Sequence, residues 1–177
     1  LESGTESERL DLTDNWVSPV VFSQDGSWFV MVEDEDVCVY DTSDFTQCRK
    51  LEDIHMDQVV IDNDGRYLAG RKEDGTLGIY ELASGNEIEL DMGPVGISEV
   101  KTADEIVIAA AHTKPWLAVS GADQQIYVID MQSARTLCQL DISRADQSFL
   151  EFTLDDSMLM IADVDSAISF CDLQDFV

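Results

Sequence analysis

His55 and His112 are the chain's only histidines, and a general base working near neutral pH is most often a histidine. His112 falls beside a turn at the edge of a strand-like run, where a loop or core histidine is the simpler reading. Neither histidine has a second histidine or a cysteine at metal-ligand spacing. The four cysteines, Cys38, Cys48, Cys138 and Cys171, form no Cys-x-x-Cys pair, so a zinc site is not expected. They sit in or follow apolar runs, as small buried hydrophobes do. Reduced thiols in a cytoplasmic or nuclear protein are therefore expected. Ser120-Gly121 lacks the Gly-x-Ser-x-Gly frame of a nucleophile elbow. Gly70, Gly75 and Gly78 open no helix and so cradle no phosphate. Asp62-Asn63-Asp64-Gly65 has part of the acid spacing of a calcium loop, but Val60 stands where a ligand is needed and no glutamate closes the loop, which favours a turn. The expectation is no enzyme: no catalytic, cofactor-binding or metal residue, and no cofactor.

The remaining specialised residues suit contact with a partner. Glu33-Asp34-Glu35-Asp36 is a run of four acids in a turn. It could receive a Lys/Arg-rich segment or weakly hold a hard cation, and a solvated loop is the competing reading. Glu73 and Asp74 stand in another such turn. Trp28 and Trp116 follow turns at matching places and read as packing residues, whereas Trp16 could anchor an interface. The join from 91 to 105 is longer than the others and contains Gly93, Pro94 and Asp104. Long joins of this kind often carry contacts.

The elements that must position these residues announce themselves by repetition. Val20 to Asp41 reads VVFSQDGSWFVMVEDEDVCVYD, and Val59 to Glu81 reads VVIDNDGRYLAGRKEDGTLGIYE. Ile108 to Asp130 reads IAAAHTKPWLAVSGADQQIYVID, and Phe149 to Asp172 reads FLEFTLDDSMLMIADVDSAISFCD. Each copy is an apolar run, a turn, a second apolar run, an acidic or small-polar turn, and a third run closing on an acid. A period of roughly 40 residues marks a repeat architecture. Runs such as Val37-Cys38-Val39-Tyr40 and Ile126-Tyr127-Val128-Ile129 fit strands buried on both faces. Asp25-Gly26 and Asp64-Gly65 are hairpin turn dipeptides, glycine supplying the positive φ. Outer strands are expected at Cys48–Leu51, Glu87–Leu90 and Thr136–Leu140, with none left for the fourth copy. Arg9-Leu10-Asp11-Leu12 is a candidate to supply that missing strand.

These patterns predict an all-β chain, a β-propeller of about four four-stranded antiparallel blades, part of a larger ring or a half-propeller. Residues 1–16 form an N-terminal segment with the candidate ring-closing strand. The blades fall at about 17–52, 57–91, 104–142 and 147–177. The chain opens on Leu1, which suggests a processed product, an excised domain or a fragment.

Composition narrows the partners. The 177 residues are 45% hydrophobic, enough for one domain with a sizeable core. Thirty-seven acids against ten bases give a formal net charge of −27. Such a surface repels nucleic-acid phosphates and anionic membranes, so neither is an expected partner. It attracts basic protein segments, and solubility or a salt-rich habitat is the alternative reason for it.

The copies resemble WD repeats. Phe22-Ser23-Gln24-Asp25-Gly26 is similar to that family's Phe-Ser-Pro-Asp-Gly turn, with Tyr40-Asp41 standing for its Trp-Asp. Ile61-Asp62-Asn63-Asp64-Gly65, Glu73-Asp74-Gly75 and Tyr80-Glu81 follow the same order. Ile126 to Asp130 also resembles YVTN-type bacterial propeller repeats. The resemblance implies a protein–protein interaction scaffold, binding basic segments or completing a multi-subunit complex. The remainder of a propeller, or a second copy forming an eight-blade ring, is a further implied partner. Propellers of other kinds imply two alternatives: a hydrolase or lactonase-like enzyme, and a sensor domain of a signalling ATPase.

Overall fold

The computed structural model describes residues 20–33, 36–45, 47–51, 54–90, 107–121, 123, 125–141, 147–163 and 167–174. Trp16, Asp34, Glu35, Gly93, Pro94, Asp104 and the 9–12 stretch lie outside them.

The apolar runs form antiparallel sheets in chain order, as the tight turns between them require. Blade 1 contains β1 (Val21–Phe22), β2 (Trp28–Glu33), β3 (Asp36–Asp41) and β4 (Gln47–Leu51). Blade 2 contains β5 (Met56–Ile61), β6 (Tyr67–Lys72), β7 (Leu77–Glu81) and β8 (Asn86–Glu87). Blade 3 contains β9 (Ile108–Ala110), β10 (Trp116–Ser120), β11 (Gln125–Asp130) and β12 (Arg135–Asp141). Blade 4 contains β13 (Gln147–Phe152), β14 (Met158–Asp163) and β15 (Ile168–Asp172), with no fourth strand among the described residues. The chain is all-β, four blade-like antiparallel sheets of a propeller. Successive first strands lie side by side: β1 against β5, β5 against β9, and β9 against β13.

Because side chains alternate across a strand, each blade has one face toward the blade before it and one toward the blade after. We call these its leading and trailing faces. Val30 pairs with Val39 on the trailing face of blade 1, against Leu68 and Ile61 on the leading face of blade 2. Ala69 and Ile79 on the trailing face of blade 2 meet Leu117 and Ile129 of blade 3. Ala118 and Val128 of blade 3 meet Leu159 and Ile161 of blade 4. Burying one such large aliphatic side chain is worth about 1.5–3 kcal/mol. Both faces are needed, so the runs are continuously apolar rather than alternating.

Two local features differ from the sequence-based expectation. The first turns are not two-residue hairpins: residues 23–27 and 62–66 separate the strands, with Gly26 and Gly65 both at φ 71°. Polar side chains inside each turn close these longer loops. The expected strand Glu87–Leu90 is realised only as Asn86–Glu87, followed by one further backbone bond from Ile88 to Ile79. Its edge residues Asn86, Glu87 and Glu89 are exposed, and little burial holds the ladder beyond that point.

Candidate functional site

The recurring acids have local tasks. Ser23 Oγ donates to Asp25 Oδ1 at 2.7 Å, and Trp28 N donates to Ser23 Oγ at 3.0 Å. Thr153, Asp155 and Met158 repeat this clamp in blade 4, with Thr153 Oγ1 donating to Asp155 Oδ1 at 2.7 Å. Bonds from Thr153 and Ser157 hold the Asp155 carboxyl down at about 2. In blade 2 Asp62 does the work itself, its Oδ1 accepting from Arg66 N at 2.7 Å and Tyr67 N at 2.8 Å. Burial, more than the Asp64 charge beside it, raises Asp62 to about 6. The suspected calcium loop is thus a turn whose first carboxylate faces its own backbone.

The closing acids behave alike. Asp41, Asp130 and Asp172 each accept a backbone N–H from two residues ahead, at 2.7, 3.0 and 2.9 Å. Glu81 accepts the Ser84 hydroxyl at 2.7 Å. These bonds to the following turn, from backbone at Asp41, Asp130 and Asp172 and from a hydroxyl at Glu81, are why an acid recurs at the end of every third strand.

Three regions bring functional groups together. The first is a groove of about 380 Å³ lined by Ile54, His55, Lys72, Glu73, Asp74 and Tyr80. Antiparallel connectivity puts the β6–β7 turn and the β4–β5 join at one end of the sheets, which is why sequence-distant Ile54 and Asp74 share a wall. Glu73 and Asp74 are exposed there. One Asp74 oxygen shapes the turn, accepting from Thr76 N at 2.9 Å and Thr76 Oγ1 at 2.6 Å. Lys72 Nζ meets Glu87 at 2.7 Å. Burial, assisted by the Glu87 charge, raises the Tyr80 hydroxyl to about 12, so it stays a neutral donor. At the start of β3 in blade 1, Asp36 carries an ion pair to Lys50 at 2.6 Å. Glu33 ends β2 directly across from Asp36.

The second region is an axial cavity of about 270 Å³ walled by the first strands of all four blades. His112 and Glu151 stand on its wall, with Nε2 of His112 3.4 Å from Oε1 of Glu151. The same nitrogen is 3.0 Å from the Phe152 carbonyl. Two acceptors around Nε2 place the proton there, leaving Nδ1 buried without a hydrogen-bond partner.

The third is Asp156, buried to 1% exposure. It accepts four bonds from the turn of the preceding blade: His112 N at 2.8 Å, Thr113 N at 2.8 Å, Thr113 Oγ1 at 2.6 Å and Lys114 N at 3.1 Å. Lys114 Nζ then lies 3.8 Å over the Trp116 ring.

Of the residues singled out from sequence, the structure joins Glu73 and Asp74 in one groove and places Glu33 opposite Asp36 in the β2–β3 ladder. Trp28 and Trp116 both lie on trailing faces, Trp116 buried and Trp28 half-buried. Sequence reasoning missed Glu151 as the neighbour of His112, and Asp156 as a clamp. The second was detectable: in the repeat register Asp156 occupies the place of Gly26 and Gly65. No family model matches the chain, and no curated protein matches it.

Proposed function

We propose that this chain is a protein–protein interaction scaffold on WD-like propeller blades, and that it binds basic protein segments without catalysis. The carrying observation is the groove at the β6–β7 turn. Exposed Glu73 and Asp74 flank it, the Tyr80 hydroxyl oxygen offers a neutral acceptor, and the chain around it carries a net charge of −27. A Lys/Arg side chain entering there meets carboxylates and an aromatic ring, and the whole-chain field speeds its approach. Turns on stiff sheets hold such groups in place at little entropic cost.

Titration with a Lys/Arg-rich peptide by calorimetry tests the reading. Binding is expected at low ionic strength, weakening as salt rises, and Glu73→Lys is expected to reduce affinity about tenfold. Equal binding by Glu73→Lys, or no binding of basic peptides at low salt, overturns it.

A propeller hydrolase is the second reading, favoured by the His112–Glu151 pair at the axial cavity. Its weakness is that the Nε2 proton is already given to the Phe152 carbonyl within the blade interface. Turnover of an ester or lactone lost in His112→Gln would restore it over the scaffold.

A further inference from the structure

We propose that the axial cavity is a binding site for a small organic ammonium ion, its charge held by Glu151 and its apolar body seated against Phe22 and Phe149. This goes beyond the basic-segment reading and uses a different part of the molecule.

The strands that wall the cavity set its chemistry. β9 lines it with consecutive residues, from Val107 to His112. Side chains alternate across a strand, so a run of neighbours on one wall means that β9 stands edge-on to the cavity. β9 is also the end strand of its sheet, bonded to β10 alone. Ala111 N donates to Trp116 O at 2.9 Å, and Ser120 N donates to Val107 O at 2.9 Å. Val107, Ala109 and Ala111 thus turn their backbone groups toward β10. In an antiparallel pair the residues between them point theirs the other way. The carbonyls of Ile108 and Ala110 therefore face the cavity that both residues line.

The side chains add one charge and two rings. Phe22 is 59% and Phe149 46% exposed, against 5% and 2% for the core residues Phe29 and Phe152. Both line this one cavity, Phe22 from blade 1 and Phe149 from blade 4. Glu151 is the one acid among the described lining residues, and no lysine or arginine stands with it. Its side chain is 45% exposed, and His112 Nε2 approaches Oε1 at 3.4 Å, which leaves Oε2 for a ligand.

Charge and size select the occupant. An anion meets Glu151 and the field of a chain at −27. A neutral hydrocarbon strips water from the carboxylate and the β9 carbonyls without replacing its hydrogen bonds. A hard metal ion needs more oxygen ligands than one carboxylate among apolar walls supplies. An organic ammonium ion donates to Glu151 and to the β9 carbonyls, and its charge is drawn to aromatic faces. The volume of about 270 Å³ suits an amine with a single ring.

Mapping of amide chemical shifts with benzylammonium chloride tests this. It is done in about 0.15 M sodium chloride, where diffuse attraction to the acidic chain is screened. Saturable shifts are expected at Ile108, Ala110 and Glu151, with the Glu73–Thr76 turn unmoved. Benzyl alcohol, which keeps the ring without the charge, is expected to bind about tenfold more weakly, and benzoate not at all. Glu151→Gln preserves the side-chain shape and is expected to weaken benzylammonium binding about tenfold. Phe149→Leu changes an exposed ring, is expected to weaken it about threefold, and serves as the second probe if Glu151→Gln does not fold. Unchanged affinity in either folded variant overturns the proposal. So does equal affinity for benzyl alcohol. Shifts confined to the acidic turns also overturn it, because the amine is then a diffuse counter-ion. Basic-peptide binding is read at the Glu73–Thr76 turn and amine binding at β9 and β13, so the two proposals fail separately.

Discussion

Asp156 shares with Gly26 and Gly65 a left-handed backbone, at φ 56° against 71° for both glycines. Aspartate tolerates that conformation better than most side chains, at a cost glycine avoids. The cost is offset by what glycine lacks, a carboxylate that takes four hydrogen bonds from residues 112–114. These bonds link two blades whose residues are more than 40 positions apart in sequence, so the residue is a seam between repeats. Asp156→Gly relaxes the backbone while deleting the seam. It is expected to destabilise the chain by about 3 kcal/mol, since the part-buried amides of the 112–114 turn lose their shared acceptor. Asp156→Asn keeps an acceptor oxygen and a tolerated φ, and is expected to cost about 1 kcal/mol. Urea denaturation of the two variants checks both values. A gain in stability for Asp156→Gly would mean that backbone strain outweighs the seam. The sequence contains this clue only as a departure from register, an acid where the earlier copies have glycine. The bonds themselves could not be read, because nothing in the chain says which turn faces which.

The first turns show the same seam in a different form between blades 1 and 2. Gly65 abuts the Trp28 indole so closely that a Cβ there would overlap the ring, whereas a Cβ on Gly26 meets nothing within 4 Å. Both glycines have the same φ, so alanine strains both backbones alike, by about 1 kcal/mol. The overlap adds a packing penalty at one site alone. Gly65→Ala is therefore expected to cost about 3 kcal/mol and Gly26→Ala about 1, as measured by the shift in denaturation midpoint. Equal costs would mean that the indole swings away freely. At this scale much was legible. The apolar runs and the turns between first and second strands follow from period-2 burial and turn chemistry. The length of β8 was not, since Ile88 and Leu90 look like strand residues and only the exposure of their edge shortens the ladder. Nor was the His112–Glu151 pair, because a residue in the turn after β9 and one on β13 become neighbours only when blade 4 packs on blade 3.

Across the molecule, many of the described carboxylates are spent on turns, and others pair with lysine or arginine or face water. Asp41, Asp62, Asp74, Asp130, Asp155, Asp156 and Asp172 hold turns, so their acidity is part of the fold. Their number still leaves a net charge of −27 spread over one small arc of blades. Like charges at this density repel more strongly in the compact state than in the expanded one, because folding brings them closer. Monovalent salt shortens the reach of that repulsion to about 10 Å at 0.1 M and less above it, while the buried turn bonds are screened far less. Raising salt is therefore expected to raise the thermal midpoint by several degrees, even though it weakens surface ion pairs such as Lys50–Asp36. Differential scanning calorimetry across a chloride series checks this. Chloride salts of sodium and potassium should act alike if screening is the cause, whereas a much larger effect of one cation would point to its specific capture by the acidic turns. The series is run at two protein concentrations, because self-association would add a rise that depends on concentration. The concentration-independent part is the electrostatic contribution, and a midpoint that falls or stays flat with salt at both concentrations would show that the charge carries no such strain.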